Sequence, residues 1–108
     1  MIIEYSQNFL KEAKNLSKKY KLLKNDLKKA VEEISKYNLG VSLGFNLFKK
    51  RVANSSIPIG KSGGFRVILY QQLEDRIVLI SIYSKTQKES LRDEELKEIL
   101  KEYMQNHK

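Results

Sequence analysis

Gly60-Lys-Ser-Gly-Gly-Phe-Arg-Val-Ile-Leu-Tyr70, with Arg76-Ile-Val-Leu-Ile-Ser-Ile-Tyr-Ser-Lys85 after a five-residue link, decides the fold. It reads as a glycine-rich loop, a strand over 65–71, a turn at 72–75 and a strand over 77–83. Only Ser81 interrupts the apolar run of the second strand, the pattern of a central strand covered on both faces. Basic residues stand at the ends: Lys61 and Arg66 where the unit begins, Lys85 where it stops. The stretch therefore predicts a buried β-hairpin with cations gathered at one end.

Working outward, residues 45–53 alternate as a third strand (Phe45, Leu47, Lys49, Arg51 against Asn46, Phe48, Lys50, Val52). Residues 54–64 between the strands hold the only Pro and three of the five glycines, so they form a loop. Near the N-terminus, Ile2 to Tyr5 is a short strand and Ser6 caps a helix with Phe9, Ala13, Leu16 and Tyr20 on one stripe. A second helix starts at Asn25 or Asp26, with Leu27, Ala30, Val31, Ile34 and Tyr37 on one face and Gly40 as a left-handed stop. The short link makes the two helices an antiparallel pair with their stripes on a common surface. A last helix starts at Arg92 or Asp93. It carries Leu96, Ile99, Leu100 and Tyr103 on one side and Asp93, Glu94 and Glu95 in a first turn suited to the helix dipole. The order is β-α-α-β-β-β-α, a single α+β domain over residues 1–108.

The net charge is +8, from 21 Lys and Arg against 13 Asp and Glu. Residues 49–88 carry eight basic and two acidic groups, the densest excess in the chain, and they lie where the sheet is expected. Such a field attracts polyanions. There is no Cys, which leaves neither disulfides nor thiolate metal sites. Nothing near Met1 reads as a signal peptide or a membrane span, so a cytoplasmic protein with no membrane role is expected.

Strand pairing brings the cations together. A turn centred near Glu74 sets Arg66 opposite about Ile82, close to Tyr83 and Lys85. A loop centred near Ile59 sets Arg66 beside about Val52, close to Arg51. Lys49 and Arg51 share a face. Arg51, Lys61, Arg66 and Lys85 thus converge at one end of the sheet, with Lys49 a step along. Glu74 and Asp75, the acids of this segment, sit at the other end. Like charges held together repel, and a site for phosphate explains that cost.

Other motifs carry less. Gly60-Lys61-Ser62 lacks the earlier Gly and the following helix of a nucleotide-binding loop. Gly63-Gly64 suits either a turn needing positive φ or a close approach of backbone amides to phosphate. The lone His107 lies in the C-terminal tail, and no metal cluster or Ser-His-acid set is present. Tyr5, Tyr20, Tyr37 and Tyr103 suit core or core-edge positions. Tyr70 and Tyr83 suit either core or the stacking of an unpaired base.

On Phe48-Lys-Lys-Arg51, Gly60-Lys-Ser-Gly-Gly-Phe-Arg66-Val-Ile, Ile82-Tyr-Ser-Lys85 and Asp93-Glu-Glu-Leu96, the sequence resembles the RelE/HigB toxins of bacterial type II toxin–antitoxin systems. The HigB-like branch looks closest. The resemblance implies a RelE-like microbial RNase fold, with two N-terminal helices against a four-stranded, mostly antiparallel sheet. It implies cleavage of mRNA without a metal or other cofactor, in many members on the ribosome. It also implies neutralisation by a cognate antitoxin protein. The family's strand basic residues match Lys49 and Arg51, its arginine after the glycine-aromatic step matches Arg66, and its cation ending the next strand matches Lys85.

Those residue types suit cleavage through the RNA 2′-hydroxyl. Arg stays charged and stabilises phosphate, whereas Lys serves as a base where neighbouring cations favour its neutral form. Lys49 is the base candidate, Arg51 and Arg66 clamp the phosphate, and Lys85 stands at the leaving group. Lys61, Lys50, Tyr83 and Lys88 are the RNA-binding candidates. Several relatives use a Tyr or His near the C-terminus, and residues 86–91 here have neither. The alternatives are a ParE-like inhibitor of DNA gyrase on the same fold and a non-catalytic RNA- or DNA-binding module.

Overall fold

The computed structural model describes residues 1–57, 64–88 and 90–106. The elements are β1 (Ile2–Tyr5), α1 (Gln7–Lys19), α2 (Leu23–Ser35), β2 (Val41–Gly44), β3 (Leu47–Val52), β4 (Phe65–Leu73), β5 (Arg76–Ser84) and α3 (Asp93–Asn106). The five strands form one sheet in the order β1-β5-β4-β3-β2, antiparallel except that β1 runs parallel to β5. The α+β class is as expected, with one strand more. Gly44, Phe45 and Asn46 all have positive φ, so the stretch expected as one strand over 45–53 folds back as the β2–β3 hairpin. Two left-handed residues are what a two-residue hairpin turn requires. Phe is an uncommon choice there, which is why the turn read as strand. Its side chain stands 82% exposed at the tip.

The sheet has a core on each face. Phe9, Leu16 and Tyr20 of the first helical segment and Leu23, Ala30 and Ile34 of α2 pack on Val52, Phe65, Val67, Leu69, Ile77, Leu79 and Ile82. On the other face Leu96 and Tyr103 of α3 pack on Leu47, Ile68, Val78, Ile80 and Tyr83. Residues 77–80 of β5 are fully buried, as a central strand covered from both sides should be. Each large apolar side chain so buried contributes roughly 1.5–3 kcal/mol.

The ends of the helices show how local chemistry is shared with distant parts. The Ser6 hydroxyl accepts the Phe9 N–H at 3.0 Å, capping α1 as expected, and donates to the Ile80 carbonyl at 3.2 Å. β1 pairs with β5 only as far as Leu79. Past that point α1 side chains take over the strand edge: Asn8 donates to the Ile80 carbonyl at 3.0 Å, and Glu12 Oε1 accepts from the Ile82 N–H at 3.2 Å and the Ser81 hydroxyl at 2.8 Å. The second helix begins at Leu23 because Asp26 is not its cap. The buried Asp26 carboxylate instead accepts the Ser55 N–H at 2.9 Å and the Ser55 hydroxyl at 2.5 Å, tying the loop after β3 to α2. Tyr37, at φ 63, is the left-handed stop of α2, and its ring is exposed where the sequence pattern expected it on the apolar face. The Tyr37 and Asn38 N–H groups bond back to Ile34 and Glu33. Gly40 has a different duty. A Cβ there would lie 2.3 Å from the Lys49 carbonyl oxygen, so only glycine lets the chain enter β2 against β3.

Candidate active site at the cationic end of the sheet

Strand register places the cations. Arg51 on β3 is directly opposite Arg66 on β4, and Arg66 is directly opposite Tyr83 on β5. Directly opposed residues share a face, so Arg51, Arg66 and Tyr83 form one row across three strands. Tyr83 belongs to the α3-side core, which fixes the row on that face, and Lys49 lies in the next row opposite Ile68. The partners differ by one residue from the sequence expectation (Ile82 and Val52). Between β4 and β5 the turn centres between Glu74 and Asp75, and two irregularities then offset each other: Gln72 is extra in β4, and Ile80 is extra in β5 where Leu69 pairs with Leu79 and Ile68 with Ser81. Glu12, which accepts from Ser81 and Ile82, holds that bulge from the side. This bulge restores the register that Gln72 shifts, and so leaves Tyr83 and not Ile82 beside Arg66.

The arginines have opposite surroundings. Arg51 is exposed, while Arg66 is 2% exposed and donates from Nη1 to the Phe65 carbonyl at 3.2 Å. Burial, then the Arg51 charge, lower the Arg66 pKa, while Tyr83 opposes them. The guanidinium nevertheless stays charged near neutral pH, because its intrinsic pKa is so high. Among the described residues no carboxylate pairs with Lys49, Arg51 or Lys85. A cleft of about 510 Å³ opens beside this end of β3, lined by Lys49, Arg51, Lys50, Gly40, Val41, Asn38 and Glu33. It exists because β2 pairs with β3 no further than Val41 opposite Lys49.

The row is closed off at the β4–β5 end by backbone contacts. The Lys85 N–H donates to the Gly64 carbonyl at 2.9 Å, which fixes Lys85 just after the end of β5, two residues past Tyr83. A Cβ on Gly64 would lie 2.2 Å from the Val52 carbonyl oxygen. Close approach of β3 to β4 at the cation end therefore accounts for this glycine. Gly63 and Lys61 lie outside the described residues, as does His107.

The remaining candidates are not on the open part of the row. Lys50 points to the helix face, is 4% exposed, and sets its Nζ 3.4 Å from Glu33 Oε2. Lys88 is 2.8 Å from Glu95, which Arg92 also engages at 3.3 Å. The Lys88 hydrogen bond, then the Arg92 backbone N–H, hold the Glu95 carboxyl down at about 2. The Tyr83 ring is 7% exposed and packs in the α3 layer, so it presents no open face for a base. Its hydroxyl is buried without a well-formed hydrogen bond among the described residues. Burial pushes the pKa of that hydroxyl up and the Arg66 charge pulls it down. Glu33 and Gly40 were missed as parts of the site. Lys50 and Glu33 meet only through packing, and Gly40 read as a helix stop because close approach leaves no local pattern.

An arginine pair in one row, one member buried and the other open to a cleft, is a candidate anion site built into a sheet. Two guanidiniums in fixed forks can bracket one phosphate, with a lysine one row away. Comparison with known families agrees on the kind of protein. The model of the RelE toxin of the RelE/RelB toxin–antitoxin system matches residues 6–107, which covers all three helices and four of the five strands. No curated protein matches the chain. The chain is a toxin of a toxin–antitoxin system and belongs to the RelE family.

Proposed function

We propose that this toxin is an endoribonuclease that cuts mRNA, on the ribosome, through the RNA's own 2′-hydroxyl, and that its cognate antitoxin neutralises it. The observation that carries the reading is the opposed Arg51–Arg66 pair beside the cleft that Lys49 lines. The 2′-oxygen attacks the adjacent phosphorus as its proton passes to a base, for which Lys49 is the candidate. The bond to the 5′-oxygen breaks, leaving a 2′,3′-cyclic phosphate and a 5′-hydroxyl, with the proton for that oxygen supplied from the Lys85 side. Arg51 and Arg66 stabilise the charge that gathers on the phosphorane. Lys61 holds a flanking phosphate. Lys50 and Lys88, already paired with Glu33 and Glu95, give weaker support to an RNA-binding role, and the buried Tyr83 ring supports one through Arg66 better than through stacking.

Induced expression followed by mapping of message 5′ ends tests this. New ends on translated messages are expected, and they vanish in Arg66→Ala while the purified variant keeps its circular dichroism spectrum and its antitoxin. Growth arrest without new ends overturns the nuclease reading. Accompanied by DNA-damage signalling, it points to gyrase; without it, to a binding module. Retained cleavage in Arg66→Ala overturns the site.

A further inference from the structure

Phe45, at the tip of the β2–β3 hairpin, combines two unfavourable features. Its backbone is held at φ 53, a region that a bulky side chain rarely takes, and its ring stands 82% exposed. Glycine or asparagine would make the same turn with less strain. The turn is nevertheless fixed: the Asn46 carbonyl accepts the Gln71 N–H at 2.8 Å, and the Ser42 hydroxyl accepts the Gly44 N–H at 3.3 Å. A groove of about 380 Å³ opens between the tip and α3. Phe45, Leu47, Leu100 and Met104 give it an apolar floor, and its charged lining is Lys97 and Lys101, one helical turn apart, with no acid. Leu47 belongs to the α3-side core, and Leu47, Lys49 and Arg51 alternate along β3 on that face. The line from the groove to the arginine pair therefore runs along one face of one strand, about 14 Å from Leu47 to Arg51.

We propose that the Phe45 tip is a stacking site for an unpaired base of the RNA strand whose phosphate lies between Arg51 and Arg66. An open aromatic ring on a fixed turn offers its face to any base, and Met104 and Leu100 give the base edge an apolar seat. Lys97 and Lys101 stand where they can hold the phosphate of that nucleotide. Lys49, between the tip and the arginines on the same strand, marks the course of the backbone. A second copy of this chain would set a net charge of +8 against another and be repelled. The inference rests on the nuclease reading for the course of the strand, and adds to it a contact away from the reacting phosphate. Such a contact is tolerant of base identity, because every base has a π-face.

The test uses the full chain and a fluorescein-labelled hexamer of 2′-O-methyluridine, which cannot be cut because its attacking hydroxyl is blocked. An abasic hexamer with the same backbone and charge is the control. Saturable anisotropy is expected for the uridine strand, weakened roughly 5–150-fold by Phe45→Gly, the span of one base–aromatic stack, and kept by Phe45→Trp. The abasic strand should bind more weakly and be indifferent to Phe45→Gly. Lys97→Ala with Lys101→Ala should weaken both strands and reduce the dependence of binding on salt. Glycine suits the left-handed turn, so the thermal melt of Phe45→Gly should not fall below that of the parent. No saturable binding of the uridine strand, a loss in Phe45→Gly that the abasic strand shares, or a lower melt for Phe45→Gly overturns the proposal. So does a self-association that Phe45→Gly abolishes, or a tip that holds an acidic amphipathic peptide against excess uridine strand. If the parent cuts no message while binding behaves as stated, the nuclease reading alone falls. If it cuts messages and binding ignores Phe45, the stacking site alone falls.

Discussion

Two cationic surfaces lie on opposite layers of this molecule, and they are built differently. On the helix layer, exposed lysines project from α1, α2 and their link, Lys19 lying over the Tyr20 ring at 5.4 Å, and give a field that salt screens within about 8–10 Å. On the sheet, Arg51 and Arg66 are held opposite each other by strand register, one open and one buried beside it. A flexible field steers and attracts; a registered pair, in the function proposed above, addresses one anion. The difference teaches that charge density alone does not mark a site. What marks it is a cation whose backbone cannot move away from its like-charged neighbour.

The sharpest way to break that contrast is to remove charge from each surface in turn. Arg66→Ala should lower message cleavage at least about 100-fold, the usual cost of deleting a preorganised charge stabiliser. Lys11→Ala with Lys18→Ala removes two charges from the helix layer and should change it by less than about threefold. Equal losses would erase the distinction. A second test asks how far the registered surface depends on close backbone approach. Gly40 and Gly44 have nearly the same φ, +88 and +85, yet an added Cβ meets the Lys49 carbonyl at the first and nothing within 4 Å at the second. Gly40→Ala should cost about 2–3 kcal/mol in urea unfolding, and Gly44→Ala about 1 kcal/mol.

Glu12 links the two layers, because it is an acid of the helix layer that holds the bulge behind Tyr83. Glu12→Ala strands the Ile82 N–H and should cost about 2 kcal/mol. All three donors reach Oε1, an atom that glutamine keeps, so Glu12→Gln should stay within about 0.5 kcal/mol of the parent near neutral pH. Burial raises the Glu12 pKa above the ordinary 4.5 in the folded state. Its favourable contribution relative to glutamine is therefore complete below about 4.5 and lost as pH rises through the higher folded value. The stability difference between the two proteins, followed by chemical unfolding against pH, should narrow or reverse in that direction. The smallest effect concerns Glu95, whose carboxyl is held at about 2 by Lys88 and Arg92. Its contribution is present above the ordinary 4.5 and lost as pH falls through about 2. Lys88→Ala should move the Glu95 NMR titration midpoint up toward 4.5.

Much of the fold was legible because its signals are local. The Ser6 cap, the stripe Phe9-Leu16-Tyr20 and the unbroken run of β5 each follow from short-range periodicity. So does the acidic first turn of α3. The cationic end of the sheet was legible to within a residue, since hairpin pairing follows from where the turns lie. The misses have two causes. Phe45-Asn46 is a turn written with an uncommon turn residue, whereas Gly40 became a contact point and Asp26 a loop anchor through contacts with other elements. The register at Arg66 depended on the centre of the β4–β5 turn and on two offsetting extra residues, Gln72 and Ile80, that no alternation pattern displays.

By itself the sequence determined the class of fold, the excess of positive charge, the strands on which Lys49, Arg51 and Arg66 lie and the place of Lys85 after the last strand, because periodicity and composition are carried residue by residue. Only the tertiary structure decided that Arg66 faces Arg51 and Tyr83, that Lys50 is taken by Glu33, and that Glu12 and Asp26 of the helix layer are turned inward. Those outcomes depend on register, bulges and packing between segments far apart in the chain, where a shift of one residue moves a side chain to the other face.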